Sequence, residues 1–258
     1  MSENVPPHPQ ESQRFDVIAY KRLEVERGNA TASRSLDWYR TTHGIRSDIE
    51  IQTVLSHLQL RPNFHVLDMG SGVGRITLAM APRVQSVTAV DISPKNIEVL
   101  RRHASERGLT NITARASDMN ELTLSGEQYD RAVAVQSIQH IPGAALRLDA
   151  VQRIRDALRP GGVFVMVNYR WGGMISDEKE GTHADGRYRY AYTPEEMQRS
   201  LRDAGFRRIS VGGCINVPYR AEWIAKLAPW AFVRMDVYLS HIPLSCRSGK
   251  YLIATGMV

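Results

Sequence analysis

Three glycines at every second position, Gly70, Gly72 and Gly74, join an apolar run to a helical one and constrain this chain more than any other stretch. Phe64 to Leu67 reads as a buried strand, Asp68 stands at its C-terminal end, and Arg75 to Ala81 follows as a helical run. Glycine has no Cβ, so such a turn can take positive φ and bring backbone N–H groups against a ligand. Strand, glycine turn and helix together form a nucleotide-binding device, although a turn of this kind taken alone is also an ordinary loop.

The text around the turn repeats the same alternation. Ser47 begins a helix, with Glu50 completing a capping box and Ile51, Val54, Leu55 and Leu58 on one face. Ser86 to Val90 is a second strand ending at Asp91. Ser93 caps the next helix, Pro94 lies in its first turn and Gly108 stops it. Asn111 to Ala114 is a third strand, followed by Asp118, and Tyr129 to Val135 a fourth, ending at Gln136 and Ser137. A helix from Ala144 to Leu158 follows. Arg159 to Gly162 reads as a stop and turn, and Val163 to Val167 as a fifth strand. Thr193, Pro194 and Glu196 open a further capped helix closed at Gly205, before strands at Phe206 to Val211 and Tyr251 to Thr255. This alternation specifies an α/β fold with a doubly wound, mostly parallel sheet.

Segments outside the pattern are of three kinds. Residues 1–12 are polar, hold three prolines and read as a disordered tail, leaving 13–258 as a single domain. Residues 14–46 read as helical pieces forming an N-terminal lid over a core at 47–168. The stretch 169–192 reads as a loop rich in glycine, charge and aromatics, and 213–249 as an aromatic insertion. No run approaches the roughly 18 apolar residues of a membrane helix and the N-terminus is unlike a signal peptide, so the expected location is cytoplasmic. The net charge of +6 could suggest a nucleic-acid partner, but 28 of the 33 basic residues are scattered arginines, which fits a solvated surface. Cys214 and Cys246 form neither a CxxC pair nor a disulfide framework.

Four motifs, LDMGSGVG, VTAVDIS, ARASDM and YDRAVAVQSIQHI followed by LRPGGVFVMV, stand in order from Leu67 onward. With them the chain resembles the class I S-adenosylmethionine-dependent methyltransferases over about residues 47–258. The resemblance implies a Rossmann-like seven-stranded sheet with a reversed last strand, and S-adenosylmethionine as cofactor. Asp91, 21 residues after Gly70, is placed to accept hydrogen bonds from two ribose hydroxyls, as a carboxylate can; a turn residue is the plainer alternative. On that placement, losing Asp91 should weaken cofactor binding and spare the fold. Asp68 is expected near the ammonium of the methionine end, with Gly70, Gly72 and Gly74 forming the turn beneath it. Asp118 can accept from the adenine amino group while Ile92 and Met119 cover the ring, and Gln136 should lie beside the bound cofactor. The rival, a nicotinamide dinucleotide enzyme, usually carries GxGxxG rather than this GxGxG.

Methyl transfer needs an aligned acceptor and, for a hydroxyl, removal of its proton. His140, after the fourth strand, is the best candidate base because an imidazole titrates near neutrality; a purely structural histidine is the alternative. Tyr169, Arg170 and Trp171 leave the fifth strand at its C-terminal edge, where open α/β sheets bind ligands. With Tyr190, Tyr39 and His43 they are the candidate substrate contacts. No acidic cluster for a metal and no Pro-Cys or Asn-Pro-Pro-Tyr segment for nucleic-acid bases is recognisable. The expected partner is therefore a small or medium-sized metabolite or natural-product intermediate, methylated at oxygen, nitrogen or carbon, with no membrane partner and a homodimer left open. An RNA or protein methyltransferase using the basic surface is the alternative.

Overall fold

A computed structural model describes residues 17–32, 44–124, 128–172, 179–183, 187–216 and 228–258. The tail at 1–12, Trp38, Tyr39, His43 and Trp223 lie outside the described residues. In chain order the elements are α1 (Val17–Thr31), α2 (Ile45–Leu58), β1 (His65–Met69), α3 (Thr77–Met80), β2 (Ser86–Asp91), α4 (Pro94–Glu106), β3 (Ile112–Ala116) and β4 (Tyr129–Val135). They continue with α5 (Ala144–Asp156), β5 (Leu158–Tyr169), β6 (Glu180–Thr182), β7 (Tyr188–Tyr190), α6 (Pro194–Asp203), β8 (Arg207–Cys214), α7 (Pro229–Ser240) and β9 (Tyr251–Met257).

Seven strands form one sheet in the order β3-β2-β1-β4-β5-β9-β8. β9 runs antiparallel to both neighbours, and the remaining pairs are parallel. Both faces are covered, so the strands carry near-continuous apolar runs rather than a wet face. Successive residues serve opposite layers: Leu67, Ala132, Phe164 and Met166 join the core under α5 and α6, while Val66, Val133, Val165 and Val167 join the one under α2. Strand order reverses between β1 and β4, and the crevice outside the carboxyl ends at such a switch point is where open sheets bind ligands.

Local signals explain much of this. Ser93 accepts from Asn96 N–H at the start of α4, and Thr193 with Glu196 makes a complete capping box for α6. Four expectations are corrected. Ser47 and Glu50 form no capping box: α2 begins at Ile45 behind Gly44 with no side-chain cap, because Glu50 is drawn into buried polar contacts instead. Arg159 to Gly162 is not a turn ahead of β5 but an irregular part of it. Tyr129 pairs with Leu158 and Arg131 with Val163, so the extra residues bulge outward. The stretch 169–192 is not only loop, since β6 and β7 form an antiparallel hairpin within it. β8 runs on to Cys214, so the insertion begins two residues later than its composition suggests.

The insertion between β8 and β9 supplies α7 and a 3-10 turn at Pro243–Arg247. α7 packs on α2 and β8, with the rings of His57 and His241 stacked 4.0 Å apart, whereas α1 leans on α4. The N-terminal lid segment and the insertion therefore lie against different helices.

Candidate active site

A cavity of about 290 Å³ runs along the C-terminal edge of the sheet, from Asp118 beyond β3 to Ile215 beyond β8. Its floor is the glycine turn. Gly70 N–H and Ser71 N–H both donate to Val90 O, at 2.8 and 2.9 Å, tying the end of β1 to β2. Gly70 has φ 80°, and a Cβ there would lie 2.2 Å from Ser137 Cβ, so only glycine lets the tips of β1 and β4 approach. A Cβ at Gly72 would meet nothing within 4 Å, leaving a cradle open to the cavity. Beside it the Ser71 hydroxyl is buried with no protein partner. An open glycine and an orphaned buried hydroxyl on one turn fit a polar ligand such as the expected cofactor. Gly74 does not line the cavity: it makes room for Leu100.

Eight of the nine residues expected at the cofactor border this space: Asp68, Gly70, Gly72, Asp91, Ile92, Asp118, Met119 and Gln136. Asp91 is more occupied than its strand-end position suggests. Its Oδ2 accepts from Gly72 N–H at 2.8 Å, and its Oδ1 accepts from Ser93 N–H at 2.9 Å and Asn96 Nδ2 at 3.0 Å. Three of about four acceptor positions are filled, so holding two hydroxyls requires one protein donor to give way. Of the three donors, Gly72 N–H is the one on the open side of the turn. Burial pushes the Asp91 carboxyl upward, against these three donors. Asp118 is also engaged: Lys21, reaching from α1, sits 2.7 Å from its Oδ2, while Asn120 N–H donates to its Oδ1 at 2.8 Å.

Asp68 is buried and accepts from the Thr77 hydroxyl at 2.6 Å. Burial raises its pKa from 3.8 to about 6. The folded protein thus holds this proton more tightly than the unfolded chain. The stability from Asp68 is fully present below about pH 4 and is lost as pH rises through about 6. Asp68→Asn keeps an oxygen for Thr77 and should stabilise the ligand-free protein at pH 8 by about 2–3 kcal/mol, with little effect at pH 4. Thermal unfolding at the two pH values checks this, and equal midpoint shifts at both would contradict it.

His140, on a 3-10 turn (Ile138–His140) after β4, is half-buried and borders the cavity. Its Nδ1 lies 2.8 Å from Tyr188 O. A carbonyl only accepts, so Nδ1 carries the proton and Nε2 of the neutral ring is the acceptor nitrogen. The Tyr20 hydroxyl of α1 donates to His140 O, and Tyr20 packs edge-on to Tyr188. Tyr188 is fixed in turn, its hydroxyl bonded to Arg147 Nη1 at 2.9 Å and to Glu180. The β6–β7 hairpin thereby orients the imidazole.

Of the expected substrate contacts, Tyr169 borders the cavity, in edge contact with the His140 ring. The others are placed elsewhere. Arg170 Nε donates to Gly249 O at 2.6 Å, Trp171 is partly exposed at the surface, and the Tyr190 ring lies under Arg147 at 3.9 Å. Tyr39 and His43 lie outside the described residues. Sequence reasoning missed Glu50, which pairs with Arg75 and accepts from Gln136 Nε2 at 2.5 Å. It also missed Arg46, one helical turn before Glu50 on α2, and Lys250 and Tyr251 at the start of β9. The i, i+4 spacing of Arg46 and Glu50 was the available signal.

A protein-family profile described as "Methyltransferase domain" matches residues 66–162, the span from β1 into β5. The chain is 28% identical over 196 residues to the ubiquinone biosynthesis O-methyltransferase of Cereibacter sphaeroides, covering 70% of this chain and 73% of the relative. Among solved structures it resembles the CcbJ methyltransferase from Streptomyces caelestis, with TM-score 0.67 and 18% identity over 90% of this chain and 98% of the other. The N-methyltransferase NodS from Bradyrhizobium japonicum, solved with S-adenosylhomocysteine, gives TM-score 0.63 and 14% identity over 91% and 97%. At such identities these two structures are similar in fold.

Proposed function

We propose that this chain, a class I S-adenosylmethionine-dependent methyltransferase, methylates a hydroxyl group on a small, partly aromatic molecule. The observation that carries the proposal is His140 at the border of the cavity, whose proton is fixed on Nδ1 by Tyr188 O, leaving Nε2 as an acceptor that the Gln139 amide approaches at 3.4 Å. The similarity to O-methyltransferases supports the same acceptor atom. Among the described residues no helix is long and apolar enough to cross a membrane.

Bound S-adenosylmethionine supplies an electrophilic methyl group on a sulfonium. The residues of the chain do the rest. The turn at Gly70 to Gly72 and Asp91 hold the ribose and the chain of the cofactor. Asp68 meets the ammonium, and Asp118 with Ile92 and Met119 meets the adenine. Asp118, Asp91 and Asp68 stand beyond β3, β2 and β1, and we assign the acceptor to the edges of β4, β5, β9 and β8. There, Tyr169 and Tyr251, with ring centroids 5.6 Å apart, offer an apolar wall. His140 Nε2 takes the hydroxyl proton as the oxygen becomes the nucleophile. The neutral phenols of Tyr169 and Tyr251, their pKa values raised by burial, do not compete for that proton at neutral pH.

Release of S-adenosylhomocysteine should be detected with simple phenols and not with matched anilines or with RNA. Turnover of the anilines at equal rate would move the assignment to nitrogen. Salt-sensitive binding of RNA with methylation of it would overturn the small-molecule reading.

A further inference from the structure

The acceptor end of the cavity is closed by a residue in an unusual backbone state. Ile215, just beyond β8, has φ 57° and is 7% exposed, bordering the cavity beside Lys250 and Tyr251. A β-branched residue in the left-handed region is a genuine outlier, and it persists only where its surroundings over-determine it.

Here the determinant is a carboxylate outside the cavity lining. Asp236, on α7, is fully buried. Its Oδ1 accepts from Ile215 N–H at 3.1 Å and its Oδ2 from Asn216 N–H at 2.5 Å. Two successive backbone N–H groups thus converge on one buried anion, an arrangement that fixes the chain's dihedral angles at that point. The same two residues are held from other directions. Lys250 N–H donates to Ile215 O at 3.0 Å, and the Asn216 side chain donates to Gly213 O at 3.0 Å. Gly213 admits no Cβ, since one would lie 2.2 Å from Ser245 O, so the insertion sits directly on the end of β8.

We propose that Ile215 is the specificity-determining residue for the acceptor, limiting the apolar tail that fits beside the methylated hydroxyl, and that Asp236 is its positioning residue. The inference rests on the hydroxyl-acceptor reading above. The insertion in this view sets the end wall of the cavity, with α7 acting through Asp236 rather than through contact with the ligand.

The test uses 4-alkylphenols from methyl to hexyl as probes, scored by turnover and by calorimetric binding to the full-length protein with S-adenosylhomocysteine. Ile215→Ala should shift the preference toward the longer tails by about tenfold or more in kcat/KM, with S-adenosylhomocysteine affinity unchanged within about twofold. Asp236→Asn should raise the KM of the preferred phenol about tenfold and leave the cofactor product's affinity alone. In an Ile215→Gly background, where no strain needs holding, Asp236→Asn should lose much less. That cycle keeps the test valid if Asp236→Asn alone folds poorly. An unchanged tail preference, or a loss confined to cofactor affinity, overturns the inference. Binding of the phenols with a shifted preference but no turnover upholds it and removes only the hydroxyl-transfer reading. A wild-type protein that binds no member of the series overturns both.

Discussion

Replacing His140 by alanine should lower kcat on the true acceptor by about 10²–10⁴-fold, the usual range for a lost general base, with cofactor affinity nearly unchanged. The size follows from the tautomer. With Nδ1 held by Tyr188 O, Nε2 is the ring's acceptor, and alanine leaves no substitute at that place. The pH–rate profile of the variant should also lose its lower limb, which reports deprotonation of the base. His140→Gln separates base from spacer: an amide can hydrogen-bond the acceptor yet takes no proton at neutral pH, so it should be nearly as slow as alanine. Full kcat in either variant across the pH range would reduce His140 to a structural role and favour an acceptor needing only orientation.

Asp91→Ala should weaken S-adenosylhomocysteine binding by about 1–3 kcal/mol, the worth of hydrogen bonds to a charged acceptor. Contrary to the expectation that the fold would be indifferent, it should also lower stability by a similar amount of about 1–3 kcal/mol. Gly72 N–H, Ser93 N–H and the Asn96 amide all lose their acceptor, and the site is nearly closed to replacement water. Calorimetry gives the first effect and denaturant unfolding without ligand the second. Normal affinity in a folded variant would place the ribose elsewhere; normal stability would mean that the three donors find other partners.

The part of the candidate site around the glycine turn was legible because its signals are local. Asp68, the glycines and Asp91 each sit where a strand ends, and strand ends follow from apolar runs and caps such as Ser93 and Thr193. The acceptor half was not. Tyr20 meets His140 across 120 residues, and no spacing announces such an encounter. Glu50 was obscured by a plausible local role, since Ser-x-x-Glu before an apolar run is also how a capping box is written. In the structure, burial beside Arg75 and Gln136 outweighs that role, because an ion pair out of solvent leaves little freedom to satisfy a helix end. Arg170, Trp171 and Tyr190 were drawn by their nearness to β5 in sequence, but Arg170 bonds Gly249, Trp171 stands at the surface and the Tyr190 ring lies under Arg147. The left-handed Ile215 carries no residue-type signal at all: glycine or asparagine would have advertised that backbone, and isoleucine conceals it.

The position of the insertion bears on how such enzymes diversify. β8 and β9 are antiparallel neighbours, so any length of chain may join them without changing their pairing, and the entropy of closing the loop grows only with the logarithm of its length. Changes between residues 215 and 250 therefore leave the register of the sheet, and the turn at Gly70, untouched. On the proposed role of Ile215, a lineage would exchange one acceptor for another by redrawing this single excursion while the strands around the glycine turn are inherited intact. Grafting the excursion between relatives is the corresponding engineering move, provided that the carboxylate on its helix travels with the backbone it holds.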